Sequence, residues 1–208
     1  MPKKTSLTTF VHSACILLLA SLAQAATSAQ RPNLVVIMAD DLGYGDLSSY
    51  GSTTHQTPAI DRLGESGLKL DSFYVTSSVC TPTRVALLTG RHPARVGFSD
   101  LLWPTSEGGL PQSERTLPEI LQTEGYRTAL VGKWHLGHSA PRYLPLNHGF
   151  DFFYGMPYPN DMGPTHIQTQ IRNEEWPPMP MMRDNEVIEA PIDVNLLTQQ
   201  YTAEAVRF

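Results

Sequence analysis

The chain has 208 residues, 41% of them hydrophobic and 17% charged, with a formal net charge of −5. That length and apolar content suffice for one domain with a proper core, and the mildly acidic balance argues against a general nucleic-acid binder. With only two cysteines, Cys15 and Cys80, no framework of several disulfides is available.

The N-terminus reads as an export signal. Lys3 and Lys4 give a positive start, Ala14 to Leu22 form a short apolar run, and Ala23-Gln24-Ala25 is an Ala-x-Ala cleavage motif. The run is too short to span a bilayer, which takes about 20 residues, so no stable membrane span is expected. Residues 1–25 are therefore read as a signal peptide and 26–208 as the mature chain, secreted or periplasmic. No Asn-x-Ser/Thr sequon occurs, which favours that destination over a lysosomal one. Cleavage would leave Cys80 as the sole cysteine, to be free, paired between chains or chemically converted.

Asn33 to Met38 is an unbroken apolar run expected to form a strand buried on both faces. It ends in the Gly-punctuated loop Asp40-Asp41-Leu42-Gly43-Tyr44-Gly45-Asp46. Thr57 and Pro58 open a short helix through Ser66, with Thr57 as N-cap, and Leu68 to Val75 reads as a second strand. Pro82 to Thr89 is the next helix, closed by Gly90. Gly97 to Ser113 is rich in Gly, Pro and Ser and reads as an irregular surface excursion. A helix from Thr116 to about Gly125 precedes a third strand, Thr128 to Val131, which runs into Gly132-Lys133-Trp134-His135-Leu136-Gly137. Beyond Gly155 the chain is proline-rich and expected to be mostly loop. Asp193 to Phe208 returns to helical spacing and stops inside the pattern, as a truncated polypeptide would.

Alternating apolar strands and helices predict an α/β fold around a mostly parallel sheet. Ligands of such sheets gather beyond the carboxyl ends of the strands. Asp40-Asp41, Cys80 and Lys133 to His135 all follow expected strands, so three chemically loaded segments should meet at one edge. Taken alone, each has a plain reading. Asp40 and Asp41 could be a solvated turn, or two hard oxygen ligands for Ca²⁺ or Mg²⁺. Cys80 could be a small buried hydrophobe, or a reactive group at a helix N-terminus with Arg84 one turn along the same face. Lys133 and His135 could be a surface charge and a core histidine. On an extended segment they share a face, with Trp134 turned away into packing.

The run Cys80-Thr81-Pro82-Thr83-Arg84, continued through Leu87 and Leu88 to Thr89-Gly90, resembles the sulfatase signature. Thr83 stands where serine or alanine is more usual. Gly108-Gly109-Leu110-Pro111, Gly125-Tyr126-Arg127-Thr128 and the stretch from Gly149 to Pro164 resemble the arylsulfatase A and galactosamine-6-sulfatase branch. The resemblance runs from Arg31 to about Phe208. It implies an alkaline-phosphatase-like fold and sulfate-ester hydrolysis of a small molecule or sulfated glycan.

In that family the cysteine is oxidised by a maturation enzyme to formylglycine, whose hydrate attacks sulfur. Carried over, Cys80 becomes the catalytic aldehyde and, with Asp40 and Asp41, a Ca²⁺ ligand. Arg84 and Lys133 stabilise the sulfuryl group, and His135 contacts the formylglycine. The family's remaining metal ligands and leaving-group side have no match before Phe208. Residues 26–208 are thus expected to be the N-terminal part of a catalytic domain, binding Ca²⁺ weakly and turning over poorly. A phosphonate or phosphodiester hydrolase of the same superfamily, or an inactive fragment, are the alternatives.

Overall fold

The computed structural model describes residues 31–208; the signal-peptide reading lies outside them. The chain divides after Thr57 into two compact units.

In the first unit, two short 3-10 helices, Tyr44–Asp46 and Ser48–Tyr50, follow the Gly-punctuated loop. Asp46 turns back to accept from the Gly43 N–H at 2.6 Å. Thr57 and Ser48 are cross-tied, each backbone N–H donating to the other's hydroxyl at 2.9–3.0 Å. The expected strand at 33–38 is absent: the segment is unpaired, with Val35 80% and Ile37 84% exposed. A strand exists only through a ladder partner, and none of the paired strands includes these residues.

The second unit opens on helix α1, Pro58–Ser66, where proline supplies the pre-set φ of a first helical residue. Leu68 to Val75, expected as a strand, likewise joins no sheet ladder and is exposed. Helix α2 is Cys80–Thr89. Helix α3, Leu117–Thr123, begins on a capping box in which Thr116 and Glu119 reciprocally satisfy each other's N–H groups. Strands β1 (Ala129–Val131), β2 (Phe152–Gly155), β3 (Met181–Arg183) and β4 (Glu186–Glu189) form one mixed sheet in sequence order. The β1–β2 pairing is parallel, and β2–β3 and β3–β4 are antiparallel. Helix α4 is Ile167–Arg172 and α5 is Leu197–Arg207.

The expected α/β class holds, with a mixed sheet among the described residues where a mostly parallel one was expected; the strands explain the class. With a period of two, Leu130, Phe153 and Met182 face one side, where they join Val85 of α2 and Leu110. Val131, Phe152, Tyr154 and Met181 face the other, where Leu197 and Tyr201 of α5 cover them. Each face has its own apolar cluster, so β1 and β2 read as runs without alternation. β2, β3 and β4 lie in or beside a stretch expected to be loop. Proline density there hides strands of three or four residues.

Candidate active site

Helix α2 places Cys80 at its first position, after an extended Val79. A helix start carries N–H groups without intrahelical acceptors and a partial positive charge, a setting that favours an anionic group. Pro82 sits in the first turn, where no N–H is required. The helix starts two residues earlier than the sequence suggests. It ends as expected on Gly90, left-handed at φ 66°, with its N–H on the Ala86 carbonyl at 2.9 Å. Cys80 is a half-buried free thiol.

Arg84 lies one turn on, and its Nη1 donates to the Lys133 carbonyl at 2.6 Å. That bond joins α2 directly to the segment after β1. Gly132 and Trp134 extend the pairing with β2 past its formal end: Gly132 donates to Tyr154 at 2.9 Å and Trp134 to Met156 at 2.9 Å. Here the backbones lie so close that a Cβ on Gly155 would collide with the Gly132 carbonyl.

His135 departs from expectation. Its φ is +59°, the left-handed region that non-glycine residues rarely adopt, and its N–H donates to Pro157 at 3.0 Å. Consecutive residues 134 and 135 therefore both bond to the 156–157 backbone, which breaks the alternation of a strand. Lys133 and His135 are not related as i and i+2 on one extended face. Trp134 is 1% exposed, as packing predicts, and its Nε1–H points to the Gly137 and Tyr143 carbonyls. His135 is equally buried.

The ring of His135 reaches the Leu102 carbonyl through Nε2 at 2.6 Å. A carbonyl only accepts, so Nε2 bears the proton. Leu102 N–H in turn donates to Thr81 Oγ1 at 3.2 Å, next to Cys80. The 97–113 stretch, expected as a surface excursion, is thus pinned to both halves of the site. Phe98 and Leu110 within it are buried. Sequence reasoning had no signal for Leu102, because its contribution is a backbone carbonyl.

His138 and His148, given no role from sequence, are structural here. His138 Nε2 lies 2.9 Å from the Pro104 carbonyl, and its ring packs on Tyr158. His148 is fully buried against Trp134. Burial pushes the pKa of both below the ordinary histidine value; the Pro104 carbonyl partly opposes this at His138, and Glu119 does so at His148.

Cys80, Arg84, Lys133 and His135 are therefore brought together in the second unit. Asp40 and Asp41 belong to the first. Both are exposed, and Asp41 is left-handed at φ 57°, a conformation aspartate tolerates better than most residues.

Sequence and structure comparisons bear on this arrangement. The family profile described as Sulfatase matches residues 32–208. The chain belongs to the sulfatase family. Bovine (Bos taurus) arylsulfatase A is 51% identical over 146 residues, which cover 69% of this chain and 29% of that protein. The PsFucS1 sulfatase from Pseudoalteromonas sp. superposes with a TM-score of 0.70 at 29% identity, covering 100% of this chain and 45% of its own. Ps i-CgsB, solved in complex with k-i-k-neocarrahexaose, gives 0.70 at 30% identity over 86% of this chain and 43% of its own. The fold is the alkaline-phosphatase-like α/β fold of the sulfatases, in the arylsulfatase A-like branch. The chain spans less than half the length of each of these relatives.

Asp40 and Asp41 offer the hard oxygens that calcium takes, two residues toward roughly 6–8 ligands. Among the described residues, no three His, Cys, Asp or Glu side chains form a group able to hold a metal. The pair fits calcium in kind and needs further ligands. Among the described residues, no helix is long and apolar enough to cross a membrane.

Proposed function

We propose that this chain carries the nucleophile side of a sulfuric ester hydrolase, with Cys80 converted to formylglycine. The supporting observation is the joint between Arg84 and Lys133, which fixes the sulfatase signature of α2 beside the segment that ends β1. The overall reaction adds water to R–O–SO₃⁻ and releases R–OH and sulfate with one proton. The S–O bond to the alcohol is the one that breaks.

Hydrated formylglycine supplies one hydroxyl to attack sulfur and a second whose deprotonation releases sulfate, while Ca²⁺ supplies positive charge. Asp40 and Asp41 offer the carboxylate oxygens that would help hold the Ca²⁺. Arg84, oriented by its bond to the Lys133 carbonyl, and Lys133 would supply positive charge to anionic oxygens of the substrate. His135 keeps Nε2–H on Leu102, so its Nδ1 is the nitrogen that accepts a proton or hydrogen bond from the hydroxyl at position 80.

The substrate is a sulfated small molecule or glycan. A secreted or periplasmic chain, cleaved after Ala25, would meet its maturation enzyme during export. The test is mass spectrometry of the protein from its native host, with fragmentation across residue 80. An aldehyde at that position supports the reading. An unmodified thiol in all molecules leaves a sulfatase remnant without its nucleophile. Competition between an aryl sulfate and a phosphodiester separates this reading from a phosphodiester hydrolase of the same superfamily.

A further inference from the structure

His135 occupies a strained backbone position and is almost wholly buried. Its Nε2 lies 2.6 Å from an acceptor, the Leu102 carbonyl. A buried imidazole takes the tautomer that its hydrogen-bond partner dictates. What holds Leu102 therefore bears directly on whether Nε2 of His135 carries the proton.

Two hydroxyls do this. On one side of the Leu102 Cα, its N–H donates to Thr81 Oγ1 at 3.2 Å. Thr81 is itself 0% exposed in the first turn of α2. On the other side, the peptide that contains the Leu102 carbonyl also contains the Trp103 N–H, which donates to Ser106 Oγ at 2.7 Å. The turn closes with Ser106 N–H on the Trp103 carbonyl at 2.9 Å. With both N–H groups tied, the carbonyl between them cannot swing away from the ring.

We propose that Thr81 and Ser106 are positioning residues for His135, holding the Leu102 carbonyl so that His135 stays in its Nε2–H tautomer with Nδ1 as the acceptor nitrogen. Its catalytic significance rests on the sulfatase reading above, but the tautomer claim does not. Thr81 then serves beyond the spacing of the Cys-x-Pro-x-Arg run: it links the residue beside the nucleophile to the histidine through one backbone unit. Ser106 serves from within a stretch that sequence marks only as irregular.

The test is ¹⁵N NMR of the imidazoles of the ¹⁵N-labelled full chain at alkaline pH, where the rings are neutral. His135 is expected to show a protonated Nε2 and an unprotonated Nδ1. In Thr81→Val, Ser106→Ala and the double variant, the two resonances should move toward each other as the tautomers mix, most in the double variant. Thr81→Ser should restore the wild-type spectrum. A wild-type His135 protonated on Nδ1 overturns the proposal without any variant. So does a folded Thr81→Val/Ser106→Ala protein with unchanged imidazole shifts. If Thr81→Val does not fold, Ser106→Ala alone decides, by the same criterion. No turnover is needed, so failure of the sulfatase reading, seen as no hydrolysis and no aldehyde at residue 80, stays distinct from failure of this one.

Discussion

Arg84 commits one guanidinium nitrogen to the Lys133 carbonyl, so its side chain is structural as well as charged. Arg84→Met keeps the length of the stem and removes the donor. Leaving that carbonyl without its donor should cost about 1–3 kcal/mol, read as a lower urea midpoint. An unchanged midpoint would mean that water replaces the bond freely. His148 makes a different residue-scale prediction. Burial depresses its folded pKa, so below about 6.5 the unfolded chain takes up a proton that the folded chain resists. Stability should therefore fall as pH drops from about 6.5 toward the folded pKa. His138 contributes in the same direction. His148→Phe removes one of the two groups and should make the loss shallower between roughly pH 4.5 and 6.5, above the carboxylate range. Parallel urea midpoints for the two proteins across that window would refute it.

At the scale of elements, the β1–β2 junction depends on missing atoms. Gly155 has no Cβ where the Gly132 carbonyl approaches, and the two residues bracket the turn into Lys133. Gly155→Ala forces the strands apart, at a cost of about 1–3 kcal/mol by analogy with overpacked cores. Amide exchange should rise first at Gly132 and Met156, whose N–H groups close this stretch; uniform change across the sheet would contradict a local clash. Helix α3 offers a milder test. Thr116 Oγ1 accepts from Glu119 N–H and donates to the His148 carbonyl, so Thr116→Ala loses a cap and a buried bond. The expected loss is about 1–3 kcal/mol, measured by urea denaturation, while Thr116→Ser should recover most of it.

At the scale of the whole molecule, a calcium site needs more donors than Asp40 and Asp41 supply. Two aspartates are a small part of a calcium shell, and the chain spans 29% of bovine arylsulfatase A. Residues 26–208 with an aldehyde at position 80 should bind Ca²⁺ no more tightly than about the millimolar range of weak sites. They should hydrolyse an aryl sulfate only at trace level. Calorimetric titration and a turnover assay check both, and near-normal turnover would sink the claim.

The Cys-x-Pro-x-Arg run, its helix with proline near the start and glycine at the end, the third strand and the α/β class were legible in sequence because each depends on residue type, local preference or periodicity. The hard-oxygen character of Asp40 and Asp41 is likewise a matter of residue type alone. What tertiary structure decided depends on partners distant in the chain. Asn33 to Met38 has the composition of a buried strand and forms none, since a strand needs a ladder partner that its own residues cannot supply. His135 was expected to alternate with Lys133, yet the pairing of residues 134 and 135 with the 156–157 backbone turns it left-handed. The acceptor that fixes its tautomer is the Leu102 carbonyl, and every residue type has the same carbonyl, so only the fold could select it.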